Sequence, residues 1–208
     1  MTTLSFFPSK PAAVIRAAVR VLKRGGVIAF PTETTYGLGC DPRSARAVSS
    51  IFKIKGRDQK KALLLVASSV ADVKKVAEHA GPSKKLAARH WPGPLTLVLP
   101  ARASARLAKG VASKKDIAVR VSSSLFVRAL VRAYGFPIIA TSANRAGEPD
   151  CRSGQAVTRV FSSQAHKPDL ILDGGRLPHR APSTVARVHT DGRVDVLRRG
   201  AVRLPKTI

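Results

Sequence analysis

Cationic and hydroxyl-bearing side chains occur in six short polar segments of this chain, each beside an apolar stretch. The segments are 32–36, 55–57 together with Lys61, Arg120, 142–144, 183–184 and Arg198. Fixed cations beside flexible glycine positions suit the oxygens of phosphate groups. The residue types therefore indicate a site for a phosphate-bearing ligand, built from distant parts of the chain.

The first polar segment follows a short apolar run, residues 27–30, which is bounded by two glycines and by Pro31. An apolar run of this length between such residues predicts a buried strand. Ligands of α/β proteins bind in loops at the carboxyl ends of buried strands. Residues 32–36 are therefore a candidate ligand-binding loop, although the segment alone leaves an ordinary polar turn open.

Arg120 lies inside an apolar stretch, residues 117–121, that predicts another strand. A buried guanidinium is costly unless it is paired. We therefore expect Arg120 to meet a carboxylate or a phosphate, and an internal salt bridge is the structural alternative to a ligand. For Lys55, Arg57 and Lys61 the alternative is a solvated run of charge.

The elements that position these segments alternate between helices and strands. Helices are predicted over 11–23, 43–52, 69–79, from 83, 125–134 and 155–161, and strands over 27–30, 63–67, 95–99, 117–121, 138–140 and 170–172. A hairpin over 184–188 and 194–197 turns at Asp191-Gly192. Residues 53–61 are expected to be a basic loop and 101–115 an irregular connection. This order predicts one α/β domain over residues 1–208, with a mixed sheet.

The composition excludes several classes of protein. No stretch is long enough to span a membrane, and the N-terminus lacks a signal-peptide pattern. The two cysteines, Cys40 and Cys151, have no metal-ligand spacing and favour a reducing, cytoplasmic setting. No Walker A loop and no complete dinucleotide-binding glycine pattern is present. We therefore predict neither a metal centre nor a familiar nucleotide-binding loop.

The formal charge of +25, from 37 Lys and Arg against 12 Asp and Glu, favours polyanionic partners such as nucleotides and RNA. Only 5% of the residues are aromatic, so few side chains could stack on bases, and no known nucleic-acid module is recognisable. The charge leaves an RNA-binding or ribosome-maturation factor open as an alternative function.

Taken together, the polar segments and their surroundings resemble the YrdC/TsaC family of threonylcarbamoyl-AMP synthases. The matching segments, in family order, are PTETTYGLG (31–39), KGRDQKKAL (55–63), WPGPLTLVLP (91–100), IAVRV (117–121), TSANRAGEP (141–149), PSTV (182–185) and VLRRGAV (196–202). The resemblance spans nearly the whole chain and corresponds to the short TsaC form.

The resemblance implies a single YrdC-like domain, with a twisted sheet of parallel and antiparallel strands and flanking helices around a basic cavity. It implies a nucleotidyltransferase that joins L-threonine, bicarbonate (or CO₂) and ATP into threonylcarbamoyl-AMP and pyrophosphate, for the t⁶A37 modification of tRNA. Mg²⁺ would accompany ATP through its phosphates. A threonylcarbamoyl-transferase complex would take the product, and tRNA or other RNA could bind the same basic surface.

The resemblance also implies a role for each candidate residue. ATP would be bound by Lys55, Arg57, Lys61, Ser142, Asn144 and Arg198, of which Lys55 and Arg57 would be catalytic, and threonine by Thr34, Tyr36, Arg120 and Ser183. The chain departs from the family pattern at Asp58 and Ala62, and at Val66, where longer members have a histidine. A carbamoyl-transfer module with another carbamoyl source is a further alternative.

Overall fold

The computed structural model describes residues 1–6, 10–59, 62–113 and 115–208, which form eleven strands and six α-helices. The strands are β1 (Thr2–Ser5), β2 (Ile28–Pro31), β3 (Tyr36–Gly39), β4 (Leu64–Ala67), β5 (Leu95–Pro100), β6 (Asp116–Val121), β7 (Ile138–Ile139), β8 (Thr141–Ser142), β9 (Leu170–Asp173), β10 (Thr184–Val188) and β11 (Val194–Arg198). The helices are α1 (Ala12–Lys23), α2 (Ala45–Lys55), α3 (Val70–Val76), α4 (Pro82–His90), α5 (Leu125–Tyr134) and α6 (Gly154–Phe161). The α/β class is confirmed, and β1, β3 and β8 are strands that the sequence pattern did not predict.

The strands are divided between two mixed sheets. One has five strands in the order β1-β9-β2-β3-β8, and the other has six in the order β11-β10-β5-β6-β4-β7. Strand β9 is parallel to both β1 and β2, whereas β2 and β3 form an antiparallel hairpin. Because β7 ends at Ile139 and β8 begins at Thr141, the chain passes from one sheet to the other at Ala140. Residues 142–144 therefore lie where the two sheets adjoin.

Serine caps begin four of the six helices described. Each capping hydroxyl accepts a hydrogen bond from the N–H three residues along, a contact that contributes about 1 kcal/mol to helix stability. The capping residues are Ser44 (α2), Ser69 (α3), Ser124 (α5) and Ser153 (α6). The cap at Ser44 explains why α2 begins two residues later than the sequence pattern predicted.

Helix α2 also extends further than predicted, because its buried face continues through Ile51 and Ile54 to Lys55. The expected basic loop therefore starts only at Gly56, whose left-handed conformation (φ +57°) ends the helix. Lys55 consequently occupies the last position of a rigid helix, where its side chain is 3% exposed.

Close packing explains one of the glycines that follow the threonine-rich loop. A Cβ atom at Gly39 would lie 2.6 Å from the carbonyl oxygen of Ile139 and 2.6 Å from a ring carbon of Phe30. Gly39 therefore lets the β2–β3 hairpin pack against the segment that connects the two sheets, rather than forming part of a phosphate-binding turn.

The core consists of two hydrophobic clusters, one of which includes Leu97 and Val119 and the other Ile28 and Val66. The connection 101–115, predicted as irregular, buries Val111 in the first cluster. In the described parts of the chain, no helix is both long enough and apolar enough to cross a membrane.

Candidate functional site

A cavity of about 420 Å³ collects most of the predicted site residues. Of the ten site residues that the resemblance implied, six line this cavity: Thr34, Arg57, Arg120, Ser142, Ser183 and Arg198. Lys61, a predicted ATP ligand, lies outside the described residues. The remaining three, Tyr36, Lys55 and Asn144, are buried and are not part of the cavity lining. Each of the six segments named from sequence therefore contributes at least one described residue to this cavity, which lies where the two sheets adjoin.

The threonine-rich loop between β2 and β3 is held in shape by its own hydroxyl groups. The Oγ1 of Thr32 donates to the carbonyl oxygen of Thr35 at 2.7 Å and accepts from the backbone N–H of Thr34 at 3.2 Å. The backbone of Thr32 and Thr35 adds a further hydrogen bond of 3.1 Å. Since Thr34 and Thr35 both line the cavity, this loop forms a preformed polar wall with hydroxyl groups to offer a ligand.

Tyr36 braces the hairpin from inside the protein. Its hydroxyl lies 2.7 Å from the carbonyl oxygen of Gly175 and 3.1 Å from Oδ1 of Asp173, and it accepts from the N–H of Gly174 at 3.0 Å. Burial, together with the charge of Asp173, raises the pKa of Tyr36 far above its ordinary value. The phenol therefore stays protonated and donates its hydrogen bond within the protein.

Lys55 is bound to the loop that contains Ser142 and Asn144. Its Nζ donates to the carbonyl oxygens of Ser142 (2.5 Å) and Asn144 (2.9 Å) and to Oδ1 of Asn144 (2.9 Å). The hydroxyl of Ser142 donates to the same Oδ1 at 2.7 Å. Burial, and then the charge of Arg57, lowers the pKa of Lys55 to about 8. All three N–H groups of the protonated lysine therefore have partners in this loop.

Arg57 and Arg198 bring two cationic groups to the cavity wall. The Nη2 of Arg57 donates to the carbonyl oxygen of Ala62 at 3.1 Å, and its buried Nε has no hydrogen-bond partner within the described residues. The Nη2 of Arg198 donates to both the carbonyl and the hydroxyl oxygen of Ser183 at 2.9 Å. Burial, and then the charge of Arg120, lowers the pKa of Arg198. Guanidinium groups that are close enough to repel one another form a site that favours an anion.

The sequence left open whether Arg120 pairs with a carboxylate of the protein or with a ligand. Within the protein its partner is Glu33. The two side chains form an ion pair, Nη1 to Oε1, at 3.2 Å, and each is 6% exposed. Burial lowers the pKa of Arg120, and the charge of Glu33 opposes that effect. Sequence reasoning did not single out Glu33, although a carboxylate inside the candidate loop was an available partner for a buried arginine.

Acidic groups are scarce around this cavity. Among the described residues, Asp150 is the only carboxylate in the lining, and no cluster of three or more His, Cys, Asp or Glu could hold a metal ion. Val66, the departure from the family pattern, lies on β4 opposite Arg120 of β6 and is fully buried. Val66 is therefore part of the second hydrophobic cluster and not of the cavity lining.

Comparisons with known proteins identify the family of this chain. Residues 20–200 match the model of the Sua5/YciO/YrdC family, described as "Telomere recombination". The chain is 37% identical over 172 residues to a protein of Thiobacillus denitrificans named threonylcarbamoyl-AMP synthase. The aligned residues make up 81% of this chain and 88% of that relative.

Two crystal structures have the same fold. Sua5 of P. abyssi, solved in complex with L-threonine, superposes with a TM-score of 0.83 at 33% identity. The superposition covers 96% of this chain and 57% of the longer Sua5 chain. YciO of E. coli superposes with a TM-score of 0.86 at 26% identity, with both chains covered completely. The family match, the identity and the shared fold together establish that this chain belongs to the Sua5/YciO/YrdC family.

Proposed function

We propose that the protein is a threonylcarbamoyl-AMP synthase, which joins L-threonine, bicarbonate or CO₂, and ATP and releases pyrophosphate, for t⁶A37 modification of tRNA. The observation that carries the proposal is the single cavity in which three guanidinium groups adjoin a loop of threonine hydroxyls. The relatives named threonylcarbamoyl-AMP synthase support the same activity at 37% and 42% identity.

In this proposal the triphosphate lies against Arg57 and Arg198. Among the described residues the buried Nε of Arg57 has no hydrogen-bond partner, and Arg57 and Arg198 both line the cavity, so both guanidinium groups are suited to bind phosphate oxygens. As the carbamate oxygen attacks the α-phosphorus and pyrophosphate leaves, charge grows on the leaving group. Positioned guanidinium groups stabilise that charge. Ser142 would add a hydroxyl ligand, and Lys61 is proposed as a further cation of the same ATP site.

Lys55 and Asn144 support the nucleotide from behind the cavity wall. Their hydrogen bonds fix the loop that presents Ser142, and the charge of Lys55 adds to that of Arg57. The resemblance implies that Lys55 is catalytic. We therefore propose that Lys55 acts on the ATP site through its charge and by holding the 142–144 loop in position.

Threonine is proposed to bind between the β2–β3 loop and β6. Arg120 would take its carboxylate, and the hydroxyl groups of Thr34 and Ser183 its polar groups. Tyr36 is proposed to support the loop that holds Thr34. The structure of the P. abyssi relative with L-threonine supports this choice of substrate.

Mg²⁺ is proposed to enter with ATP. Because Mg²⁺ is usually held by phosphates, waters and one or two carboxylates, Asp150 is the residue of the lining suited to contact it. The ion would supply charge neutralisation on the phosphates.

The test of the proposed function is pyrophosphate release from ATP, with and without L-threonine, in bicarbonate buffer containing magnesium. We expect release that depends on threonine, and a product in which the threonine amine is carbamoylated and joined to AMP. Folded protein that releases no pyrophosphate, or releases it equally without threonine, would contradict the proposal.

A second cavity gives the RNA-binding alternative a specific location. It has a volume of about 350 Å³ and is lined by the exposed cations Arg24, Arg46 and Lys167, and none of the described residues lines both cavities. Asp169, the acid in its lining, accepts the backbone N–H of Val27 at 2.7 Å. We propose that this surface binds RNA backbone phosphates in addition to the synthase activity.

We expect alanine at Arg24, Arg46 and Lys167 together to weaken tRNA binding and to reduce the slope of log K against log salt by about 2 to 3, since each neutralised phosphate contributes about 0.9. Fluorescence anisotropy of labelled tRNA over a salt series measures both quantities. The matched control removes three exposed cations of α4, Lys84, Lys85 and Arg89. Equal losses in the two triple variants would reject this location.

The proposal also covers the extent of the domain, the cellular location of the protein and the fate of its product. The family match over residues 20–200 supports one domain across residues 1–208. Cys40 and Cys151 are both buried and free, which suits a cytoplasmic protein. The adenylate product is a reactive mixed anhydride, so we propose that it passes to a threonylcarbamoyl-transferase complex.

A further inference from the structure

The carboxylate of Glu33 has a different neighbour at each of its oxygens. Oε1 forms an ion pair with Nη1 of Arg120 at 3.2 Å without hydrogen-bond geometry, and Oε2 accepts a 2.6 Å hydrogen bond from the hydroxyl of Ser122. Ser122 is fully buried and follows β6 directly, the strand that carries Arg120. A single carboxylate from the β2–β3 loop is therefore anchored to the six-stranded sheet at two points.

The guanidinium of Arg120 is only partly used by this pair. Its Nη1 faces Glu33, whereas its Nε is buried and, among the described residues, has no hydrogen-bond partner. Nε and Nη2 form the edge of a guanidinium that grips a carboxylate side-on. Arg43 shows this geometry in the same molecule, with Nε and Nη2 each 3.0 Å from an oxygen of Asp41.

We infer that Glu33 is a positioning residue for amino-acid recognition: it holds Nη1 of Arg120 so that the Nε edge is presented to the α-carboxylate of the substrate. This inference rests on the proposed function and assigns a role to a residue outside the binding set described above. It requires no contact between Glu33 and the substrate.

Charge and burial explain why the pair is needed. A guanidinium that is 6% exposed would be unfavourable as an unpaired cation, and its long side chain would have several orientations available. Glu33 compensates the charge and removes that freedom. Because Thr32 and Thr34 flank Glu33 in sequence and line the cavity, the same ion pair also fixes the distance between the threonine-rich loop and β6.

The test compares two ligands that differ only at the carboxylate, L-threonine and L-threoninamide, by isothermal titration calorimetry. A charge-assisted hydrogen bond to the carboxylate predicts that the wild-type protein prefers threonine by about 10- to 100-fold. In Glu33→Gln we expect this preference to fall about tenfold or more, because threonine binds more weakly while threoninamide binding changes little. The KM for ATP is expected to stay within about twofold of the wild-type value, since the proposed ATP ligands Arg57 and Arg198 have other partners, the carbonyl oxygens of Ala62 and Ser183.

Asp72→Asn is the matched control. Asp72 is also a buried carboxylate held by a serine hydroxyl, that of Ser68, and by a cation, Lys75 at 2.7 Å, but it does not line the cavity. This variant is expected to lose stability and to keep the full preference for threonine. If Glu33→Gln does not fold, Ser122→Ala removes one of the two anchors, and the same decrease in preference is expected.

Three results would overturn the inference. The first is an unchanged preference in a folded Glu33→Gln. The second is tighter binding of threonine by that variant, which would mean that Glu33 merely competes for Arg120. The third is a wild-type protein that binds neither compound, which would also contradict the proposed function. Threonine-dependent pyrophosphate release by the wild-type protein separates the first two results from the third.

Discussion

Replacing Arg57 by alanine is expected to lower the rate of threonine-dependent pyrophosphate release by about 100- to 1,000-fold, the range typical for losing one preorganised donor to a developing oxyanion. Arg57 lines the cavity, and its buried Nε lacks a partner among the described residues. Its guanidinium, of which Nη2 donates to the carbonyl oxygen of Ala62, therefore has a further donor with which to bind a phosphate oxygen. Steady-state kinetics with ATP as the varied substrate measures the loss, which should be in kcat as well as kcat/KM.

The control for this variant is Lys53→Ala, which removes one positive charge from an exposed position of the same helix end. We expect its kinetics to match the wild-type protein. Arg57→Lys should recover little activity, because an ammonium lacks the planar pair of donors that a guanidinium offers. Wild-type rates in Arg57→Ala would show that Arg57 is not part of the ATP site.

The elements of the fold could largely be predicted from local patterns. Helix α5 has the predicted limits, and the C-terminal hairpin forms around Gly192, which has the positive φ of +89° that such a turn requires. Division of the strands between two sheets could not be predicted, because it depends on how β7 and β8 pair, and each is only two residues long. Strand pairing is decided by tertiary contacts that a local pattern does not contain.

The candidate site was predictable as a set of segments and not as a set of contacts. The sequence indicated that Arg120 needs a partner, but only the pairing of the two sheets identifies Glu33. Lys55 was predicted in a loop beside a phosphate, and the structure places its Nζ on the 142–144 loop instead. Lys55 and Arg120 are both buried charges, and the partner of each lies 87 residues or more away in the sequence.

The second large effect is expected for Lys55→Met, which keeps an unbranched apolar side chain one atom shorter than lysine and removes the three hydrogen bonds to the 142–144 loop. That loop presents Ser142 to the cavity. A displacement of about 1 Å in a positioning element costs about 100-fold in rate, which is the loss we expect in pyrophosphate release.

Asn144→Ala removes the Oδ1 acceptor that Lys55 and the hydroxyl of Ser142 share, and leaves the two carbonyl contacts of Lys55 in place, so a double variant tests the mechanism. If Lys55 and Asn144 act as one unit, Lys55→Met combined with Asn144→Ala should lose little more activity than either single variant. Fully multiplied losses would show that the two residues act independently, and would leave the ATP site without the proposed link.

The pH dependence of the wild-type protein separates this role from general stability. Burial, and then Arg57, lowers the pKa of Lys55 from 10.5 to about 8, so the folded state releases this proton before the unfolded chain does. Stability therefore rises, relative to Lys55→Met, as the pH increases from about 8 to 10.5. Activity should decrease over the same range, because a neutral amine has two N–H groups for three acceptors.

Chemical denaturation and pyrophosphate release, each measured across this pH range in both proteins, give the two curves. In Lys55→Met the decrease in activity attributable to this group should be absent, and the residual rate should be flat through about pH 8. Because stability and activity are expected to change in opposite directions in the wild-type protein, unfolding could not account for the loss of activity. Parallel curves would contradict the role of Lys55, since they would mean that activity simply follows the folded fraction.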